Sequence, residues 1–344
     1  MNEDAFLRAL QDDPDDTSRL VYADWLEEHG ENERAEFIRV QCALANLSED
    51  DPGRAALAER EAALLAKHRA AWLKPLPAWA RDGAYRFRRG FVDEITATTT
   101  QFLKGAANLL KRVPVRAVRL RGARQHIEAL AACPHLARLT SLDLSSNDLE
   151  EIEAIRLAAS PYLENLSALR LGRNPLRAGG IAALAACPRL GRLRVLDLTN
   201  TVVNDVAATA LADSPHLANL ARLVLTTNSL QPWCMTPAGA AALARSPHLT
   251  NLNELSLRCQ EIGDKGAAAL AASRNLVGVR SLDLNNCRLG AAGVSALADS
   301  AHLEKLTFLD LAWNKCGDAG AAALAGSSHL GNIRHLKAHR ADLT

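Results

Sequence analysis

The sequence predicts an α/β solenoid of the horseshoe type, with parallel strands on the concave face and short helices on the convex face, preceded by a small all-α module. Three observations predict it. Seven strings between residues 139 and 316, from LTSLDLSSNDL to LTFLDLAWNKC, are versions of LxxLxLxxNxL. Their inner leucines, Leu142, Leu169, Leu196, Leu223, Leu255, Leu282 and Leu309, follow one another at 27 residues, apart from one step of 32. Self-similarity at a fixed period is the mark of stacked supersecondary units. The first 80 residues lack the string and carry aromatic and aliphatic residues at helical spacing instead.

Within that first module, residues 1–80, helices are predicted near 3–11, 16–29, 33–48 and 53–72. Phe6 and Leu10, then Leu20, Val21, Trp25 and Leu26, then Phe37, Ile38, Gln41, Leu44 and Leu47 recur about one turn apart. Asp13-Pro14, Gly30 and Asp51-Pro52-Gly53 punctuate them. Ten of the chain's fourteen aromatic residues lie in the first 102, so this end closes a small core with large side chains. The string FLRALQDDPDDTSRLVYADWLEEHGENERAEFIRVQCAL (6–44) resembles the bacterial repeat-companion domain, a short helical module joined to repeat arrays. Tyr22 to Glu28 and Arg34 to Ile38 carry the likeness, which covers residues 1–45 and implies no activity. Asp24, Glu27, Glu28 and Glu36 read as a solvated helix face, with Asp24 or Glu36 paired to Arg34 or Arg39, in preference to acid/base groups.

Residues 81–114 read as a basic linker and an N-terminal capping half-unit, RGFVDEITA (89–97) as strand and TTTQFLKGAANLLKRVP (98–114) as helix. Pro75 and Pro77 predict an extended connection over 74–94, with Trp79, Tyr85, Phe87 and Phe91 packing the module onto the first strand. The formal charge of +1 is a cancellation. Residues 1–53 carry 4 Lys/Arg against 15 Asp/Glu, and residues 54–124 carry 16 against 5. The acidic head is therefore expected to dock on the basic segment that follows it. The other use for Arg81, Arg86, Arg88, Arg89, Lys111, Arg112, Arg116, Arg119, Arg121 and Arg124 is nucleic-acid binding through the 81–124 segment, although no recognition-helix, zinc-finger or RNA-motif string accompanies them.

Residues 115–344 read as about eight solenoid units and a terminal strand in IRHLKAHRADL (333–343). Each unit is a strand, a loop, an alanine-rich helix such as VAATALADSPHLAN (206–219), and a turn. Asp264 and Asp318 stand where helix N-caps are expected, and Ser-Pro supplies a stop. Strands pair about 4.8 Å apart, whereas helices pack about 8–10 Å apart, so stacked units must curve with the strands inside. These strings resemble leucine-rich repeats of the long, ribonuclease-inhibitor-like class. The resemblance implies that the column Asn147, Asn174, Asn228 and Asn314, in which Thr201, Gln260 and Cys287 substitute, turns inward and bonds loop backbone; Cys287 is then structural. Cys133 and Cys187 share a column with Ser160, Ser214, Ser246, Ser273, Ser300 and Ser327, which suggests a requirement for small residues. His135, His216, His248, His302 and His329 fill a turn column at one imidazole per unit, an arrangement that does not converge on a metal.

Several function classes are set aside. The acidic N-terminus has no basic region followed by an apolar run, and no run of eighteen apolar residues occurs, so a cytoplasmic protein that does not span a membrane is expected. Seven cysteines, odd in number and without a C-x-x-C pair, argue against a disulfide scaffold or structural zinc. No G-x-S-x-G, G-x-x-x-x-G-K-[ST], H-E-x-x-H or dinucleotide fingerprint is present, so neither catalysis nor a cofactor is expected. The expected function is a non-enzymatic scaffold that binds a protein ligand on the concave face, where side chains flanking the inner leucines point outward. Candidate contacts are Arg170, Asp197, Arg258, Asp283, Phe308, Asp310 and Trp313, together with Trp233 in the five-residue insertion QPWCMTPAG (231–239). A second reading comes from similarity to the repeats of Ran GTPase-activating proteins; Arg170, Arg173 or Arg258 would then face a nucleotide, with no residue-by-residue motif behind it.

Overall fold

A computed structural model describes residues 6, 10, 16–48, 50–228 and 234–339. The chain divides into two compact units, Met1–Arg121 and Gly122–Thr344. In the first, helices α1 (Asp16–Glu28), α2 (Asn32–Asn46) and α3 (Arg54–Trp72) end within two residues of their predicted limits. Of the helix expected over 3–11, only Phe6 and Leu10 fall among the described residues. Gly30, at φ +84°, stops α1 by letting the Glu31 N–H reach the Leu26 carbonyl at 2.8 Å. Phe6, Leu10, Tyr22, Leu26 and Ile38 form one buried cluster with Phe91. Arg39 bonds Asp24 and Glu27 at 2.6 Å each, and Arg60 bonds Glu36 at 2.5 Å. The Arg34 guanidinium lies among aromatic rings, 4.9 Å from the Trp72 ring centre and 5.4 Å from that of Phe91.

The extended connection expected over 74–94 is a short helix α4 (Ala78–Arg81) and then a hairpin of β1 (Tyr85–Arg88) and β2 (Phe91–Thr98). Its two turn residues, Arg89 and Gly90, both have positive φ, 51° and 87°, the conformation whose twist matches the flanking strands. A side chain at position 90 is excluded, because a Cβ there would lie 2.3 Å from Ile38. The hairpin tip is also where opposite charges meet. Arg89 pairs with Asp16 at 2.8 Å, and the Gly90 N–H donates to Gln41 Oε1 at 2.6 Å. Helix α5 (Thr99–Arg112) opens on a capping box between Thr98 and Gln101 and returns the chain to β3 (Ala117–Arg121), which runs parallel to β2.

The second unit is a parallel sheet of three-residue strands: β4 (Ser141–Asp143), β5 (Ala168–Arg170), β6 (Val195–Asp197), β7 (Arg222–Val224), β8 (Glu254–Ser256), β9 (Ser281–Asp283), β10 (Phe308–Asp310) and β11 (His335–Lys337). Leu142, Leu169, Leu196, Leu223, Leu255, Leu282, Leu309 and Leu336 stand in direct register across it. The first seven are buried and form the spine of the core. Helices α6 (Ile127–Ala131), α7 (Glu151–Ala158), α8 (Arg177–Ala185), α9 (Asp205–Ala212), α10 (Pro237–Arg245), α11 (Gly263–Ala271), α12 (Ala291–Ala298) and α13 (Gly317–Ala325) pack in sequence order behind it.

Two polar ladders stitch the helical side. Ser160, Ser214, Ser246, Ser273, Ser300 and Ser327 each donate to a carbonyl near the end of the preceding unit's helix, at 2.5–2.6 Å. The column therefore selects a short donor as well as a small volume, and Cys133 and Cys187 meet the second of these. Asp264 does not cap its own helix, which starts at Gly263. Its carboxylate instead accepts from the Gly290 and Gly293 N–H groups of the next helix, at 2.7 and 2.9 Å. Asp205 does the same for Thr236 and Gly239. A Cβ on Gly293 would stand 2.5 Å from the Asp264 carboxylate, so this bond between units needs glycine there.

Candidate interaction surface

The polar residues of the second unit sort into those the fold consumes and those it leaves facing solvent. Asn174 Oδ1 accepts from the N–H groups of Asn147 and Leu149, at 2.9 and 3.0 Å, while its Nδ2 donates to the Leu144 and Leu171 carbonyls. Asn314 repeats the pattern with Cys287, Leu289, Leu284 and Leu311, and Asn147 accepts from Ala123. Gln260 reaches the Leu225 carbonyl and the Met235 N–H, and the Cys287 thiol lies 3.0 Å from the Leu257 carbonyl. Burial pushes that thiol well above its ordinary pKa. Asn228 differs: it is exposed, immediately before the insertion.

The aspartates of the inner face are also largely consumed. Asp143, Asp197, Asp283 and Asp310 each accept, through Oδ1, the backbone N–H two residues ahead, at 2.8–3.0 Å. This Asx turn is how a short acidic side chain ends a strand and redirects the chain. The residues after it, Ser146, Asn200, Asn286 and Trp313, have φ between 53° and 61°, as do Arg173 and Cys259 at the same place in repeats that lack the aspartate. Asp310 is only 5% exposed and also receives the Asn285 amide at 3.2 Å, so it is a structural group and not a free contact. Asp283 is half-buried and tied to Ser256 as well. Burial raises its carboxyl above the usual carboxylate range and neighbouring Asp310 adds to this, against the pull of the Asn285 N–H, the Ser256 hydroxyl and Arg258.

The solvent-facing groups are therefore basic and aromatic. Arg258 is exposed, as are Arg222, His335, Lys337 and His339 on the same face. Arg222 reaches Glu254 at 2.5 Å, a pair not anticipated from the columns. Phe308 is half-buried, with the Lys337 ammonium 5.1 Å from its ring centre. Trp313, at the loop beside β10, is 49% exposed. Arg170 is half-buried and donates to Ser141 Oγ at 3.1 Å. Asp197 is held by Thr199. Trp233 lies outside the described residues; within the same insertion, Met235 is fully buried and Cys234 nearly so. Arg124 of the basic segment pairs with Glu150, and Arg89 and Arg116 are bonded within the first unit. Among the described residues, no three His, Cys, Asp or Glu side chains group as metal ligands, and no helix is long and apolar enough to cross a membrane.

A strand, a left-handed turn, an inward asparagine and a short helix thus recur with the 27-residue period. A family model described as "Leucine Rich repeat" matches residues 135–150, 248–271, 279–298 and 302–325. These four stretches are similar to leucine-rich repeats. No curated protein matches the chain. Among solved structures, the chain is similar to an internalin from Listeria monocytogenes, at 20% identity and a TM-score of 0.41. That match covers 67% of this chain and 56% of the internalin chain.

Proposed function

We propose that the protein is a non-enzymatic interaction scaffold whose repeats hold a protein ligand on the inner face, around Arg258, Phe308 and Trp313. The reading extends the repeats to the ribonuclease-inhibitor-like class over 115–344, on the strength of the 27-residue period and helices of eight or nine residues. It takes the first 45 residues as a companion-type helical module.

The observation that carries it is Trp313. A bulky residue in the left-handed region costs about 1–2 kcal/mol, and this residue is half-exposed to solvent. The same left-handed turn recurs at Ser146, Arg173, Asn200, Cys259 and Asn286, so the conformation belongs to the repeat; what sets this position apart is that the repeat carries a large, half-exposed indole there. Tryptophan and arginine are also the side chains that dominate protein–protein hot spots. The test is affinity capture from the source organism's lysate with the wild-type chain and with a Trp313→Ala, Arg258→Ala double variant of unchanged circular dichroism. A protein held by the first and lost from the second supports the reading. An undiminished yield with the double variant places the binding surface elsewhere.

A further inference from the structure

The first unit contains a cleft that neither the repeats nor the proposed scaffold role uses. It has a volume of about 810 Å³ and opens between α1, the ends of α3 and α5, and the start of β2. Its apolar wall is built by Trp25, Trp72 and Phe91. Arg34 shares this wall, its guanidinium lying within 6 Å of the Trp72 and Phe91 ring centres. Lys111 and Arg112, in the last turn of α5, also line the cleft and are exposed, as is Asn108. Among the described lining residues Glu31 is the one carboxylate, beside the exposed cations Lys111 and Arg112 and the ring-packed Arg34.

We infer that this cleft binds a short acidic peptide segment carrying one large apolar side chain. The volume falls within the range of ligand sites, about 300–1,000 Å³. The two exposed cations Lys111 and Arg112 make the cleft attractive to anions and repel basic segments. A ligand that was only ionic would leave the aromatic wall wet, so the segment also needs an apolar group to cover it. The exposed Asn108 amide offers a donor and an acceptor to a peptide backbone.

A nucleotide is the other anionic partner with an apolar body, and the ring arrangement disfavours it. Single-stranded nucleic acid binds by stacking on free ring faces. Trp25 already stacks on His29 at 4.0 Å and on Tyr22 at 5.9 Å. Trp72 stacks on Phe37 at 4.6 Å and on His68 at 5.3 Å, and Arg34 occupies it too. A phenylalanine or leucine side chain needs only edges and gaps, which these rings still present.

The test is fluorescence anisotropy with the full chain and fluorescein-labelled peptide GDDFDDG. Its controls are GDDADDG, GKKFKKG and a labelled short oligothymidylate. Binding of GDDFDDG that weakens about tenfold in the Lys111→Glu, Arg112→Glu variant is expected. The milder Lys111→Ala, Arg112→Ala variant should show a smaller loss in the same direction. Both replace exposed groups, so thermal melts should overlay that of the wild type. The inference is overturned by no anisotropy change up to about 1 mM peptide, by equal binding of the alanine or lysine peptide, by tighter binding of the oligothymidylate, or by undiminished binding in the charge-reversed variant.

Discussion

The side-chain oxygen of Asn314 accepts the backbone N–H of Cys287 at 2.9 Å, so the asparagine of one repeat ties down the residue at the equivalent position of the repeat before it. The same amide satisfies Leu289, Leu284 and Leu311, four backbone groups in all, each buried where water cannot replace it. Asn314→Ala should cost about 3 kcal/mol or more, because an orphaned buried group costs roughly 1–3 kcal/mol. Cys287→Ala removes one weak thiol donor and should cost about 1 kcal/mol. Urea denaturation read by circular dichroism would measure both. Equal losses would mean that side-chain volume, not hydrogen bonding, sets the stability of this column.

The serine ladder predicts a graded series. Ser273→Ala leaves the Ala244 carbonyl, now reached at 2.5 Å, without its donor and should cost about 1 kcal/mol. Ser273→Cys should cost less, since Cys133 and Cys187 occupy equivalent positions. All seven cysteines are buried, and burial raises the thiol pKa of Cys133, Cys287 and Cys316. Thiolate is the reactive form, so labelling with a disulfide reagent at pH 8 should track unfolding. Fast labelling of a folded-state thiol would contradict that burial.

In the first unit, charge complementarity resolves to particular atoms. Arg89 and Asp16 are mostly shielded from solvent and pair at 2.8 Å, while Arg86 and Arg88 are exposed. Arg89→Glu should destabilise the unit by about 2 kcal/mol, leaving two carboxylates facing one another. Arg86→Glu should change stability by less than about 0.5 kcal/mol. A double-mutant cycle with Asp16→Lys, melted at low and high salt, would show recovery only for the Arg89 pair.

Trp313 separates a structural from a functional role. Asparagine tolerates the left-handed region better than tryptophan does, so Trp313→Asn should raise stability by about 1 kcal/mol and abolish capture of the inner-face ligand. A stability loss of similar size would mean that the indole ring supports the loop.

How much of this was legible in the sequence follows from how each feature repeats. The leucine spine and the inward asparagines Asn147, Asn174 and Asn314 recur as residue types, so the period alone exposes them. Asn228, immediately before the insertion, is exposed where Asn147, Asn174 and Asn314 are buried. Asp197, Asp283 and Asp310, interface candidates by strand alternation, also accept the peptide N–H two residues on, a bond that alternation alone does not reveal. Asp-x-[Ser/Thr/Asn/Ala] after an inner leucine was the available signal. Asp264 was placed on its own helix because capping rules are local, whereas its partners Gly290 and Gly293 lie one repeat away. The β1–β2 hairpin was hidden because Arg89-Gly90 is not an Asn-Gly or Asp-Gly turn, and the cleft is assembled from residues far apart in the chain, such as Trp25 and Lys111.

Asp283 makes the pH dependence of the sheet testable. Burial first, and then Asp310, raise its folded-state pKa above the unfolded value of about 3.9. The folded state therefore holds a proton that the unfolded state gives up, so stability is gained as pH falls through the raised pKa and the penalty is fully present above it. Asp283→Asn keeps an acceptor for the Asn285 N–H and loses the charge. It should be more stable than the wild type at pH 7, and the gap should close as pH approaches 4. Paired thermal melts across that range, compared as differences so that other carboxylates cancel, would read it. A constant difference, or one that widens toward acid, would show that Asp283 ionises without cost beside Arg258.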